Sequence, residues 1–344
     1  MIPAIAVARE LRARGHEVWF AGTERGAEAR LVPQAGFPLE HIRIGGMMGV
    51  SIARKLSSIV SLISSTAAQW SAFARRRPHA VFSMGGYVAG PPVLAALMRR
   101  IPIVVMEPNA VPGLTNRWIA RWVACALINF PETRRYFPGR TTELTGLPVR
   151  EEFFALPTKP AGVPFTILVT GGSQGSRTLN NAAQSAWPEL SRLGSSVYLI
   201  HQAGAAHIDG LRAAFERSGV QGEISAFIAD MPAAFSRANL IICRSGAGAV
   251  SEIAAAGKPS ILVPFPFATD DHQFHNAERF REAGAALLFR DSEWTGEQMV
   301  RVIRDLIARP EFAAEMGEAA RKLAHTGAAR RAAEILEETA RKTR

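Results

Sequence analysis

The chain has 344 residues, more than one hydrophobic core normally serves, so two domains are expected. Its 48% hydrophobic and 20% charged residues are typical of a soluble globular protein. The two cysteines, Cys125 and Cys243, are far apart, which argues against a disulfide framework or a zinc site and favours a reducing compartment. The sequence shows neither a signal-peptide pattern nor an apolar run of about 18 residues that would predict a transmembrane helix.

The net charge of +10 resides in the first half of the chain. Residues 1–160 contain 20 basic and 10 acidic residues, whereas residues 161–344 contain 20 of each. Neither Asp nor Glu occurs between Glu40 and Glu107. This asymmetry predicts an anionic partner for the first half, either nucleic acid or a membrane, unless the charges only solvate the surface.

Helix and strand patterns alternate along the whole chain and break once. Apolar strands such as "PIVVMEPN" and "NLIICRSG" are separated by amphipathic helices, which predicts parallel sheets covered on both faces. Prolines cluster in "TGLPVREEFFALPTKPAGVP" at the break. We therefore predict an N-terminal domain at 1–148, a linker at 149–163 and a C-terminal domain at 164–344. Ligands are expected in a cleft between the carboxyl ends of the two sheets.

The motif "FTILVTGGSQGSRTLN", residues 165–180, is a buried strand followed by a glycine turn and a helix. Glycines let a ligand approach the backbone, and the free amides of a helix N-terminus favour a phosphate beside Ser173 and Gln174. The motif is neither GxGxxG nor the GxxxxGK[ST] loop. The alternative is a tight structural turn that Ser173 caps.

A second strand, turn and helix follow in "NLIICRSGAGAVSEIAAAGKP", residues 239–259. Glu252 lies about a turn and a half into this helix, where a carboxylate can accept hydrogen bonds from both hydroxyls of a ribose. The alternative is a glutamate on a solvated helix face.

A third polar loop, "PFPFATDDHQFHNA" at 264–277, follows an apolar strand and carries His272 and Gln273. So many hydrogen-bonding side chains predict a polyhydroxylated ligand. The spacing of the histidines is a weak metal signal, and a polar helix cap is the plain alternative.

The first half has two loops of this kind, "SMGGYVAGPP" and "MEPNAVPGLTN". Gly85 and Gly86 allow close approach of a ligand, and Glu107, Asn109 and Asn116 supply polar groups. Structural turns would look similar.

The segment 43–77, which lacks acidic residues, contains one apolar stripe when it is placed on a helix. The stripe comprises Ile52, Leu56, Ile59, Ile63, Ala67, Trp70 and Phe73. Basic residues lie at its ends, namely Arg54, Lys55, Arg75, Arg76 and Arg77. The stripe either faces the core or lies on an anionic membrane surface. Nucleic acid is disfavoured, because aromatic and basic residues do not alternate.

Six of these motifs, in this order and at these separations, resemble the MurG family of peptidoglycan N-acetylglucosaminyltransferases. The motifs are "SMGGYVAGPPVLAA", "EPNAVPGLTNRW", "TGLPVR", "GGSQGSRTLN", "CRSGAGAVSEIAAAGKP" and "DDHQFHNA". The resemblance implies the α/β glycosyltransferase fold GT-B, with two Rossmann-like doubly wound domains. It also implies a last helix that packs back on the N-terminal domain.

The resemblance further implies an inverting transfer of GlcNAc from UDP-GlcNAc to the C4 hydroxyl of MurNAc in undecaprenyl-pyrophosphoryl-MurNAc-pentapeptide. This step converts lipid I to lipid II, uses neither metal nor cofactor, and takes place on the cytoplasmic face of the inner membrane, where the enzyme is peripheral. The partners implied are these two substrates and an anionic membrane surface, with no nucleic acid.

The resemblance, together with the motifs, gives the substrate-binding residues. They are Asn109, Arg150, Ser173, Gln174, Ile228, Arg244, Ser245, Gly246, Ala247, Gly248, Ala249, Val250, Ser251, Glu252, His272 and Gln273. Ile228 is expected at the uracil ring, Glu252 at the ribose and Gln273 at the sugar hydroxyls. The turns at Ser173 and at 245–247 are expected to hold the diphosphate.

Two departures from the family pattern bear on catalysis. Met106 and Pro108 replace a usual His and Gln, which leaves Glu107 and Asn109 as the polar groups there and Glu107 as a helper in catalysis. The family also begins with a strand and a GGTGGH loop, whose His is a candidate base, before the helix that starts here at Ile2. We therefore expect Met1 to be internal, with the natural start roughly 15–20 residues upstream.

Two alternatives to the transferase stay open. One is a catalytically impaired, truncated copy that only binds a UDP-sugar or the lipid. The other is an enzyme like UDP-GlcNAc 2-epimerase, which has the same fold and a nucleotide-sugar site.

Overall fold

The computed structural model describes residues 1–24, 26–42, 52–157, 159 and 164–342. The chain divides into two compact units. The first comprises Met1–Val149 and Gly327–Arg344, and the second comprises Arg150–Thr326. The division falls where the predicted linker begins. The short 3-10 helix Glu151–Phe153, within that predicted linker, belongs to the second unit, and the last helix belongs to the first.

The first unit has six described strands and six described helices. The strands are β1 (Phe20–Gly22), β2 (Leu39–His41), β3 (Val81–Ser83), β4 (Ile103–Glu107), β5 (Cys125–Ile128) and β6 (Thr141–Leu144). The helices are α1 (Ile2–Ala13), α2 (Ala27–Gln34), α3 (Ile52–Arg76), α4 (Gly90–Met98), α5 (Leu114–Ile119) and α13 (Ala328–Arg341).

These strands form two parallel sheets, where the sequence predicted one. Strands β3, β4, β5 and β6 pair in that order, and β1 pairs with β2. No described strand pairs with both β1 and β3, so the two sheets stay separate within the described residues. Strand β4 is buried along its whole length, as expected for a parallel strand covered on both faces. Helix α13 is tied to β6 by Arg331, whose Nη2 lies 3.0 Å from Oε2 of Glu143.

The second unit has six strands and seven helices within the described residues. The strands are β7 (Phe165–Thr170), β8 (Val197–Gln202), β9 (Gly222–Ser225), β10 (Leu240–Cys243), β11 (Ser260–Leu262) and β12 (Leu287–Leu288). The helices are α6 (Arg177–Ser191), α7 (Ile208–Ser218), α8 (Met231–Arg237), α9 (Ala247–Ala256), α10 (His272–Glu282), α11 (Gly296–Ala308) and α12 (Pro310–Lys322).

The sheet of the second unit is parallel, in the order β12-β11-β10-β7-β8-β9. From β7 the chain builds outward through β8 and β9, and it then returns to add β10 on the other side. The strand order therefore reverses between β7 and β10, which is where ligands bind in open α/β sheets. The core beside α6 includes Trp187, whose ring meets that of Phe215 edge-on at 5.1 Å. No helix within the described ranges is both long and apolar enough to cross a membrane.

Gly175, in the loop after β7, packs against the loop after β8 at the carboxyl edge of this sheet. It has a positive φ of 76°, and a Cβ added there would lie 2.1 Å from the carbonyl oxygen of Ala203. A side chain at this position would strain the backbone and clash with a neighbour that cannot rotate away. Only glycine fits, so the close packing of the loops after β7 and β8 depends on it.

Replacing this glycine should destabilise the second unit. Gly175→Ala is expected to lower the free energy of unfolding by about 2–3 kcal/mol, which corresponds to roughly 5–10 °C in the midpoint for a unit of this size. The matched control is Gly210→Ala in α7, where an added Cβ meets nothing within 4 Å. Because alanine favours helix, the control should gain about 0.5–1 kcal/mol. Thermal unfolding followed by circular dichroism checks both, and an unchanged midpoint for Gly175→Ala would contradict the packing described.

Candidate active site

The pairing of β7 with β10 brings two glycine turns side by side. The last residues of the two strands, Thr170 and Cys243, are partners in the parallel register. The turn after β7, residues 171–176, and the turn after β10, residues 244–246, therefore leave the sheet at the same edge. Each leads into the N-terminus of a helix, so the amides of two helix ends converge at this point.

The first turn presents exposed polar side chains on a constrained backbone. Gly172 has a φ of 78°, and its N–H donates to Oγ1 of Thr170 at 3.1 Å. Ser173 and Gln174 are exposed on the turn. The cap of α6 is Ser176, whose Oγ accepts from the amide of Leu179 at 3.3 Å. The alternative in which Ser173 is the cap is therefore wrong, because the cap lies three residues later, at Ser176, and Ser173 stays available to a ligand.

The second turn offers backbone amides rather than side chains. Gly246 is the N-cap of α9 and provides no side-chain cap, and an added Cβ at Gly246 or Gly248 would meet nothing within 4 Å. Ala247, Gly248 and Ala249 form the first turn of the helix, where amides have no partner inside an α-helix. This open, uncapped helix end suits an anion.

Two predicted binding residues on this segment, Ser245 and Val250, are buried. Ser245 is buried and donates from Oγ to the carbonyl of Gln273 at 2.8 Å. Val250 is buried in the core, and its amide donates to the carbonyl of Gly246 at 3.1 Å. Ser251 is half-buried one residue before Glu252. We expect Ser245 and Val250 to support the turn without contacting a ligand through their side chains.

Arg244 is also used within the protein. Its Nη1 donates to Oδ1 of Asp291 at 2.5 Å and to the carbonyls of Val263 and Pro264 at 3.1 and 3.0 Å. The other carboxylate oxygen of Asp291 accepts from Oγ1 of Thr178 at 2.9 Å. This network ties the turn after β10 to the start of α6. We expect Arg244 to position the two turns rather than to bind phosphate.

Glu252 and Arg150, which were predicted separately, interact in the structure. Burial raises the pKa of the Glu252 carboxyl to about 7, and the positive charge of Arg150 acts in the opposite direction. The Arg150 guanidinium lies 5.0 Å from the ring of Phe153, which packs edge-on against Phe235. Within the described residues the carboxylate of Glu252 has no hydrogen-bond donor, so its oxygens are available to a ligand.

The loop after β11 provides a third set of polar groups. Oε1 of Gln273 accepts from the amide of Phe265 at 3.0 Å, which leaves its NH₂ group for another partner. Nδ1 of His272 lies 2.7 Å from the carbonyl of Thr269 and must donate to it, which leaves Nε2 as an acceptor. Both side chains are partly exposed. In the described ranges no three or more His, Cys, Asp or Glu side chains come together in a way that could hold a metal ion.

The sequence did not reveal a layer of buried polar side chains behind these loops. Gln202, at the end of β8, accepts from the amide of Ile228 and donates to the turn after β7. Asn180 donates from Nδ2 to the carbonyl of Ala203 at 2.9 Å, and its Oδ1 lies 3.0 Å from Nε2 of His201. Burial lowers the pKa of His201 to about 4, so the ring is neutral. In the sequence, the pair His201-Gln202 at the end of an otherwise apolar strand was the feature that could have predicted these buried polar side chains.

In the first unit, Glu107 organises the loop after β4. Its Oε1 accepts from the amide of Asn109 at 3.0 Å and from Nδ2 of Asn109 at 3.3 Å. Its Oε2 accepts from the amide of Gly113 at 3.2 Å and from Nδ2 of Asn116 at 2.8 Å. Burial raises the pKa of this carboxyl, and these hydrogen bonds act against the rise. Four donors on one buried carboxylate favour a positioning role for Glu107 over a direct catalytic one.

The predicted apolar stripe on α3 is exposed over most of its described part. Ile63 is 64% exposed and Trp70 36%, and Ala67 is exposed as well, whereas Phe73 is buried. The core-facing alternative therefore holds only at Phe73. The side chains of Arg54, Lys55 and Ile59 lie outside the described residues. Arg75, Arg76 and Arg77 are exposed at the end of the helix.

A second apolar stripe, which sequence analysis missed, runs along α5 and the residues after it. Leu114, Trp118 and Trp122 follow each other at intervals of four and are 65%, 56% and 47% exposed. The two tryptophan rings are in contact at 5.7 Å, and the exposed Arg117 and Arg121 flank them. We call these five residues the aromatic-basic face. The available signal was the spacing in "LTNRWIARW".

Family models match both units. Residues 1–128 match the glycosyltransferase family 28 N-terminal domain, and residues 166–335 match the family 28 C-terminal domain. The chain is 58% identical over 341 residues to the UDP-N-acetylglucosamine–N-acetylmuramyl-(pentapeptide) pyrophosphoryl-undecaprenol N-acetylglucosamine transferase of Solibacter usitatus. That alignment covers 99% of this chain and 93% of the relative.

Solved structures agree with the family models. The crystal structure of Acinetobacter baumannii MurG matches with a TM-score of 0.81 and 31% identity, over 98% of this chain and 95% of that one. A UDP-GlcNAc 2-epimerase from Neisseria meningitidis matches over 98% of this chain and 96% of that one, but at 13% identity and a TM-score of 0.69 it shows the fold alone. The fold is GT-B, with two Rossmann-like domains of parallel sheets. The chain belongs to the MurG family of N-acetylglucosaminyltransferases, within glycosyltransferase family 28.

Proposed function

We propose that this chain transfers GlcNAc from UDP-GlcNAc to the C4 hydroxyl of MurNAc in undecaprenyl-pyrophosphoryl-MurNAc-pentapeptide, with inversion at the anomeric carbon. The observation that carries this proposal is the 58% identity, over 99% of the chain, to a relative whose name states a transfer of N-acetylglucosamine between UDP-N-acetylglucosamine and N-acetylmuramyl-(pentapeptide) pyrophosphoryl-undecaprenol. The alternative of an epimerase rests on likeness of fold, at 13% identity, and has no comparable support.

The donor is proposed to bind at the carboxyl edge of β7 and β10. The diphosphate would accept hydrogen bonds from the uncapped first turn of α9 and from the turn that carries Ser173. The ribose hydroxyls would donate to the unpaired carboxylate of Glu252. The uracil would meet the loop at Ile228, and the NH₂ group of Gln273 would donate to a sugar hydroxyl.

In the proposed reaction the acceptor oxygen attacks C1 of GlcNAc, the bond from C1 to the diphosphate oxygen breaks, and UDP leaves with the electron pair. Backbone amides at two helix ends stabilise the negative charge that develops on UDP. The acceptor hydroxyl passes its proton to a base. Glu107 contributes by holding the loop of Asn109 and Asn116, not by taking this proton.

The aromatic-basic face is proposed to bind the anionic inner surface of the cell membrane, which would make the enzyme peripheral there. Tryptophan and leucine side chains at intervals of four enter the headgroup region together, and neighbouring arginines pair with anionic lipids. The exposure of Leu114, Trp118 and Trp122 supports this placement, because a face of this kind is otherwise unfavourable in water.

Turnover tests the proposed function directly. The chain is expected to transfer labelled GlcNAc from UDP-GlcNAc to a soluble lipid I analogue and to release UDP. Binding of UDP-GlcNAc without transfer would instead support a protein that only binds the UDP-sugar. Conversion of UDP-GlcNAc to its 2-epimer would support the epimerase.

The ribose assignment predicts that donor binding depends on pH. Because the pKa of Glu252 is about 7, the carboxylate form increases from pH 6 to pH 8, and a charged acceptor makes the stronger hydrogen bonds. The Kd for UDP-GlcNAc should fall by roughly threefold to tenfold over this range. Calorimetry measures this Kd, and the phosphates of UDP-GlcNAc do not titrate between pH 6 and pH 8. Glu252→Gln should bind UDP-GlcNAc more weakly, with a Kd that does not change with pH. If this variant keeps the wild-type pH dependence, Glu252 is not the source of that dependence.

The membrane assignment predicts that two tryptophans control vesicle binding. Trp118→Ser with Trp122→Ser should weaken partitioning to vesicles of phosphatidylglycerol and phosphatidylethanolamine by at least about tenfold, since each ring loses apolar burial. The control is Phe312→Ser, another exposed aromatic, which lies in the second unit and should partition like wild type. Added salt should weaken wild-type binding. Equal partitioning of the double variant and the control would remove this face from the membrane contact.

A further inference from the structure

Gln202 is a buried carboxamide that joins two loops of the proposed donor site. It is the last residue of β8 and is 1% exposed. Its Nε2 donates to Oγ1 of Thr170 at 3.0 Å and to the carbonyl of Gly172 at 2.9 Å. Its Oε1 accepts from the amide of Ile228 at 2.8 Å. One side chain therefore contacts both the turn after β7 and the loop after β9.

The hydrogen bonds allow one orientation of this amide. Exchanging its oxygen and nitrogen would place NH₂ against the N–H of Ile228 and the oxygen against the carbonyl of Gly172. Both contacts would then be repulsive and buried, which is unfavourable. The three bonds thus require a side chain that donates on one side and accepts on the other, at the length of glutamine.

Gln202 acts on a turn that has further constraints. The carbonyl of Gly172 also accepts from the amide of Gly175 at 3.0 Å, and the amide of Gly172 donates to Oγ1 of Thr170 at 3.1 Å. The N–H of Gly172 is therefore bound by Thr170, and the carbonyl of Gly172 is bound by Gln202. That position lies directly before Ser173, and Ile228 lies on the other side of Gln202.

We infer that Gln202 is a positioning residue that fixes the spacing between the base-binding loop at Ile228 and the diphosphate-binding turn at 172–174. This inference rests on the proposed binding of UDP-GlcNAc at this edge of the sheet. A nucleotide bound at both places needs them at one fixed separation, and the amide of Gln202 supplies it. Its loss weakens ground-state and transition-state binding of the donor equally.

Gln202→Met, which keeps the length of the side chain but removes its hydrogen bonds, tests this role. The KM for UDP-GlcNAc should rise about tenfold, while kcat at saturating donor stays within about threefold of wild type. The matched control is Thr166→Val, which removes a buried hydroxyl at the opposite end of the same sheet. The control should leave the donor KM unchanged even if it lowers the unfolding midpoint.

Gln202→Glu gives a second readout, which a merely structural role would not produce. A buried carboxylic acid can donate from its O–H to Gly172 and accept from Ile228, as the amide does, whereas the carboxylate can only accept. The ratio of the donor Kd of Gln202→Glu to that of wild type should therefore rise from pH 6 to pH 8. Taking the ratio at each pH removes the contribution of Glu252.

The outcomes separate this inference from the proposed function. If the wild-type chain does not bind UDP-GlcNAc, the proposed function fails. If it binds, but a folded Gln202→Met variant keeps the wild-type KM, or the Gln202→Glu ratio is independent of pH, the positioning role of Gln202 is overturned. If Gln202→Met lowers kcat and leaves KM unchanged, the residue serves the reaction step instead, which also overturns the inference.

Discussion

The parallel pairing of β7 with β10 is the constraint on which the candidate site depends. These strands are far apart in the sequence, yet their last residues, Thr170 and Cys243, are register partners. The pairing places two glycine turns at one edge and directs the first turns of α6 and α9 to the same region. Amides that would otherwise need water can then share one anionic ligand. The polar side chains around the site fix the positions of these turns and helix ends.

Buried and half-buried polar contacts fix the positions of the turns. Arg244 and Asp291 join the turn after β10 to α6, Ser245 joins it to α10, and Gln202 joins the turn after β7 to the loop at Ile228. Burying polar groups is costly unless each is paired, and these are paired mainly with one another and with backbone groups. The loops thus gain a defined geometry from side chains that never need to touch the ligand. Glu107 does the same for the loop after β4 in the first unit.

Local pattern was enough to predict the second sheet, both glycine turns and the place of Glu252, because strand, turn and helix follow each other within about 16 residues. Contacts with partners elsewhere in the chain and the exact helix start could not be read from local pattern. Arg244 was predicted to bind substrate, and the structure shows its guanidinium hydrogen-bonded to Asp291, which lies 47 residues away in the sequence. Ser173 looked like a cap, but α6 begins only after Ser176. The apolar stripe on α3 could have faced the core or lain on the surface. Periodicity shows that one face of a helix is apolar, but it does not show what covers that face.

The most direct test is a crystal structure of the chain with UDP. The diphosphate should lie within hydrogen-bonding distance of backbone amides in residues 172–174 and 247–249, with the ribose hydroxyls on the carboxylate of Glu252. A nucleotide bound at another edge of the sheet, or with its ribose away from α9, would contradict the assignment of this site.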